Sequence, residues 1–292
     1  MKLRIAASVA TGVLLIGLLA WPLAAPPEPF GTVSLLEGSI RPIGAAALTV
    51  LAFLSGFIAY FLSWPYGREI GILAAPAGLA IWGMRSGSMV SLIRHTAADN
   101  QPALFSALKW EPLFWLGIVA AGFAGVLLAQ KISHKPEPDK TQQKPNPKPN
   151  IILNVIIVLA ASVLIAQLCI NAFAQGVRLP DEKLGSVVAQ PAVGQIIFAV
   201  FISFGLAAFV AKKFLNVSYI WPTIASALVT AFAVITYGKL QVLQHLCMRW
   251  PPVFFSHAAL SILPLQMVAL GTLGSIVGYW MAFRYNYWRK HA

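Results

Sequence analysis

Eight apolar runs, separated by shorter polar stretches, set the pattern of this chain: 5–25, 43–64, 70–84, 112–130, 151–174, 193–211, 217–238 and 262–283. A helix that crosses a hydrocarbon core needs about 20 such residues. Seven of the runs meet that length. The third is short, held between Arg68-Glu69 and Arg85 with Pro76 inside it, and reads as a span or as a re-entrant segment. Irregular backbone at membrane depth is tolerated only where protein or a water-filled cavity covers it.

One stretch breaks the pattern completely. Residues 131–150, KISHKPEPDKTQQKPNPKPN, hold five lysines and five prolines and almost no apolar side chain. Such a segment buries too little surface to offset its ordering entropy and is expected to be a disordered linker. It divides the chain into residues 1–130 and 151–292, each with four apolar runs. The predicted fold class is therefore all-α: a polytopic integral membrane protein of eight transmembrane helices, arranged as two tandem four-helix halves.

The halves resemble each other. At offsets of 149–152, Pro42 matches Pro191, Gly87 matches Gly238 and Gly122 matches Gly274. At a constant offset of 150, His95, Pro102, Phe105 and Ser106 match His245, Pro252, Phe255 and Ser256. Four spans per half is an even number, so duplicated halves share one orientation, related by an axis along the membrane normal. The repeat also bears on the N-terminus. Lys2 and Arg4 before an apolar run to Ala25 resemble a secretory leader. The run is as long as a span, Pro26-Pro27 follow the small-residue site, and its counterpart is 151–174. A retained first helix is expected.

Composition agrees with a bilayer as solvent: 58% of residues are hydrophobic and 10% charged, against roughly 25% charged in soluble domains. The net charge of +12 would suggest nucleic acid in a soluble protein. Here the basic residues flank apolar runs, which points to lipid headgroups instead. With the N-terminus inside, 13 of the 21 Lys and Arg fall on inner segments and eight on outer ones. That bias predicts a cytoplasmic membrane with both termini and the linker on the cytoplasmic side. The nine tryptophans fall near run ends or outside the runs, as expected for an interfacial belt.

Candidate chemistry is sparse. Cys169 and Cys247 form no CxxC, so neither a disulfide nor a metal site is expected. The longest outer segments are 85–111 and 239–261. Met89, Leu92 and Ile93, like Leu240, Leu243 and Leu246, make short apolar stripes that predict surface helices. Arg94, His95 and Asp99 form the densest polar cluster, and His95 and Asp99 share a helix face at four-residue spacing. Such a pair suits proton relay or metal ligation; the plainer reading is a solvated surface cluster. The duplicate carries His245 without the acid. Inside the spans ionisable groups are nearly absent, which weighs against a proton-coupled pump. Gln167, Asn171, Ser203, Thr230, Gln266 and Thr272 read as interhelical hydrogen-bonding groups.

Small residues stripe the fourth and eighth runs: Gly117, Gly122 and Gly125, and Gly271, Gly274 and Gly278. Small stripes allow backbones to approach closely, and here they predict that these two helices pack together near the axis. The expected function is that of a non-enzymatic multi-pass membrane protein, permease-like or a structural and assembly subunit. The alternative is an interfacial enzyme working at the outer loops around His95 and His245. No cofactor is expected. The expected partners are the lipid bilayer and a membrane-protein partner or a second copy, and not nucleic acid.

Overall fold

The computed structural model describes residues 1–26, 31–35, 40–94, 96, 100–133 and 151–291. Of the expected disordered linker 131–150, Lys131 and Ile132 belong instead to the last turn of the helix Glu111–Ile132, and 134–150 lie outside that set, as do His95 and Asp99. Among the described residues, seven helices are long and apolar enough to cross a membrane.

The first is α1 (Lys2–Gly12), extended by π-type turns over Val13–Leu19. Pro42 opens α2 (Pro42–Leu62) at a position where its missing N–H costs nothing. After α3 (Gly67–Ile70) a 3-10 turn, Gly71–Leu73, runs straight into α4 (Ala74–Arg85). Two short helices, α5 (Met89–Arg94) and α6 (Gln101–Leu108), precede α7 (Glu111–Ile132). Beyond the linker come α8 (Ile151–Phe173), strands β1 (Arg178–Asp181) and β2 (Gly185–Ala189), and α9 (Val193–Leu215). Asn216, at φ 51°, closes α9; asparagine tolerates that left-handed conformation. Then follow α10 (Ile220–Tyr237), α11 (Leu240–Arg249), β3 (Phe254–Phe255) and α12 (Pro264–His291).

The chain is thus mainly helical but not wholly so. The three strands form an antiparallel sheet in the order β1-β2-β3, with Val188 opposite both Arg178 and Phe255. This small sheet is an addition to a fold that is otherwise helical, consistent with the all-α expectation. The span helices carry apolar side chains outward as well as inward: Leu14, Leu168 and Phe214 are exposed. An all-round apolar helix surface is what lipid contact requires.

The short third run is deeply covered, like the start of α12. Residues 70–80 are all buried, and Trp82 has no exposed surface. Ser8 Oγ, midway along α1, donates to the Ile70 carbonyl at 2.9 Å. At the other end Gln266 Nε2, in the first turn of α12, donates to the Gly83 carbonyl at 2.9 Å. Pro76 sits in the first turn of α4, where the N–H it lacks is not needed inside the helix. Helical residues 67–85 rise roughly 28 Å at 1.5 Å each.

Glycines set the tightest packing. A side chain at Gly56 on α2 would overlap the Gly122 carbonyl of α7, and one at Gly125 would overlap the Phe53 carbonyl. On α12, Gly274 and Gly278 stand in the same way against the Phe201 and Gly205 carbonyls of α9. Gly271 abuts Phe204 and Ser226, while Gly117 faces open space. The expected packing of α7 on α12 through their small stripes is therefore replaced by α7 on α2 and α12 on α9. Close backbone approach needs a small residue on both partners, and Gly56 and Gly205 supply it. Helices α7 and α12 still touch, and α12 packs on α4. Two tryptophans also depart from the belt expected of them. Trp82 and Trp115 are fully buried, with ring centroids 6.4 Å apart and edge-on. Trp110 and Trp288 are exposed, as interfacial residues would be.

Candidate functional site

At the hairpin end, Asp181 is the most heavily bonded side chain. It closes β1, and its Oδ1 accepts the backbone N–H groups of Lys183 and Leu184 at 2.9 and 2.8 Å. Trp250 Nε1, just past α11, donates to Oδ2 at 2.7 Å. His245 Nε2, on α11, lies 3.0 Å from both oxygens. The Trp250 bond, joined by those from Leu184, His245 and Lys183, holds the carboxyl far below its usual range. A carboxylate so saturated is a poor proton acceptor and serves as a tie between hairpin and helix. An exposed ion pair, Arg249 to Glu182 at 2.9 Å, flanks it.

His257 is the other distinctive histidine. Its ring stacks on Tyr237 at 4.2 Å, and its Nδ1 accepts the Ala259 N–H, capping the 3-10 turn Ala258–Ser261. Burial, aided by the charge of Arg178, lowers its pKa to about 4, so it is neutral near pH 7.

On the other side of the same end, buried Glu111 opens α7. Its Oε2 accepts from Ser34 Oγ at 2.9 Å, and its Oε1 accepts from Trp115 Nε1 at 3.1 Å. A cavity of about 240 Å³ lies between α5, α6 and α11, walled by Ile93, Phe105, Leu243, Trp250 and Phe255. The aligned pair Phe105 and Phe255 thus face one space, although one sits in α6 and the other in β3.

At the linker end there is a larger vestibule of about 620 Å³. Its walls come from both sides of the linker: Arg68, Glu69 and Phe123 on one, Tyr219, Tyr279 and Trp280 on the other. The rings of Phe123, Tyr219 and Tyr279 follow one another edge to face at 6.0 and 5.6 Å. Lys212 Nζ stands 4.9 Å from the Tyr279 ring centre and donates to Asn216 Oδ1 at 2.7 Å. Leu127 and Phe283, also on the wall, are 57% and 61% exposed, so the wall continues onto the exposed apolar surface of α7 and α12.

Of the residues singled out in the sequence, Arg94 ends α5 and is exposed, and His245 is bound to Asp181. His95 and Asp99 lie outside the described residues. The polar residues in the spans are mostly hydrogen-bonded, some within their own helix and some across to another, while Thr230 Oγ1 has no partner among the described residues. Ser203 and Thr272 donate to their own helices, Gln167 Nε2 to Val229 of α10, and Asn171 accepts from Arg178. Among the described residues, no three His, Cys, Asp or Glu side chains stand close enough to hold a metal ion. No protein family, characterised protein or solved structure matches the chain.

Proposed function

We propose that the chain is a non-enzymatic, permease-like membrane protein that holds a small amphiphile in the vestibule between two tandem four-helix halves. The halves are residues 1–130 and 151–292 around linker 131–150, and residues 67–85 supply the eighth span. The vestibule itself carries this reading. It has the volume of a small-molecule site, usually about 300–1,000 Å³. It is lined by aromatic rings and continues onto exposed apolar helix surface.

The tandem arrangement is supported by the glycine contacts. Gly56 and Gly205 are 149 residues apart, Gly122 and Gly274 are 152 apart, and the pairs make equivalent helix crossings. A length of roughly 28 Å for 67–85 matches a hydrocarbon core of about 30 Å. The basic-residue bias favours a cytoplasmic membrane with the termini and the vestibule on the cytoplasmic side. Chemistry at the outer loops has weaker support, because His245 is turned to a carboxylate whose acceptor positions are already occupied.

The test is a single cysteine at Ser218 on the vestibule wall, with Cys169 and Cys247 replaced by alanine. Amphiphiles with one alkyl chain, including an uncharged glycoside, should slow its reaction with a thiol reagent. Labelling unchanged by every amphiphile would leave an assembly subunit as the better reading.

A further inference from the structure

The vestibule wall has more hydrogen-bond donors than partners for them. Arg68 lines it, and among the described residues its guanidinium has no ion pair or hydrogen bond. The hydroxyls of Tyr219 and Tyr279 likewise have no hydrogen-bond partner there. Lys212 is not itself on the wall but stands next to it, its ammonium 4.9 Å from the Tyr279 ring centre. One acid, Glu69, faces the same space. A planar guanidinium matches two oxygens of a phosphate at once, and phenol hydroxyls bond to the others. The exposed apolar surface at Leu127 and Phe283 lets apolar chains remain in the bilayer while a headgroup enters.

We infer that the vestibule selects an acidic phospholipid, binding its phosphate through Arg68 with Tyr219 and Tyr279, and leaving its acyl chains against the exposed apolar wall. This rests on the vestibule reading above and adds the class of its ligand. Arg68 and Glu69 balance on the wall, Lys212 beside Tyr279 tips the surroundings positive, and a headgroup of net negative charge offsets that where a zwitterionic one, with the same phosphate, brings a further cation. Attraction of basic residues to anionic lipid at a membrane surface favours the same occupant.

The experiment uses the Ser218→Cys reporter in nanodiscs of defined lipid. Phosphatidylglycerol should slow labelling about tenfold relative to phosphatidylcholine, the scale of a hydrogen bond to a charged group. Arg68→Gln should abolish that difference, and Arg68→Lys should keep part of it. Glu69→Gln should widen it. Each of these side chains is exposed, so the variants should melt with the parent. Equal protection by the two lipids would overturn the headgroup assignment while leaving an amphiphile in the vestibule. Protection by inorganic phosphate alone, in phosphatidylcholine discs, would overturn a lipid as the ligand. No protection by any lipid or alkyl glycoside would remove both readings together.

Discussion

His257 shows how a single side chain ties the hairpin end to solution conditions. The ring is stacked on Tyr237, bonded to the Ala259 N–H and neutral. Its folded pKa, about 4, lies below the ordinary 6.5. As pH falls below 6.5 the unfolded chain takes up a proton that the folded chain refuses. Its contribution to stability is therefore complete above pH 6.5 and is lost as pH falls toward 4. The melting temperature of the parent should drop across that window, and His257→Phe, which keeps the stack without the titration, should drop less. Identical slopes for the two would remove His257 from the account. Asp181 makes a second case. With Asp181→Asn the charged acceptor for His245 and Trp250 is gone, and trypsin should cut after Lys183 sooner than in the parent. Unchanged cleavage would mean that the strand pairing alone holds the hairpin.

At the scale of elements, what could be read from the sequence followed from how local its cause was. The spans were legible because bilayer crossing demands a long apolar run, and α2, α7, α8, α9 and α10 begin or end within a few residues of the expected limits. The hairpin was missed although its turn glycine, Gly185 at φ 75°, and its adjacent Val187 and Val188 carry the signal of a short strand pair. Its order also depends on His245 and Trp250, more than 60 residues away. The Gln266 bond to Gly83 spans 183 residues and leaves no trace in spacing. The glycine stripes were legible as close contacts but not as to partner, since small residues such as Ala52, Gly56, Gly205 and Ala208 recur in α2 and α9 as well and spacing alone does not pair one helix with another. Gly278→Leu and Gly56→Leu should each destabilise the bundle by about 1–3 kcal/mol or more, the cost of overpacking. Gly117→Leu, which meets open space, should be nearly neutral. Thermal unfolding in detergent separates the outcomes; equal losses at all three positions would deny the crossings their role.

For the whole molecule, the central claim is an even number of crossings, with residues 67–85 as a true span and the vestibule on the same side as both termini. The helix lengths by themselves identify seven spanning candidates. An odd count would place the two ends of the chain on opposite sides of the membrane. The stretch 67–85 differs from those seven in being short-helical and buried. It is broken by the 3-10 turn Gly71–Leu73 and filled with Ala and Gly, because protein rather than lipid surrounds it. The decisive measurement is labelling of intact cells with a membrane-impermeant thiol reagent, using single cysteines in place of Lys2, Lys183 and Arg289. The account predicts that the Lys183 position reacts in intact cells, while the Lys2 and Arg289 positions react only after permeabilisation. Reaction at one terminus with protection of the other would contradict it.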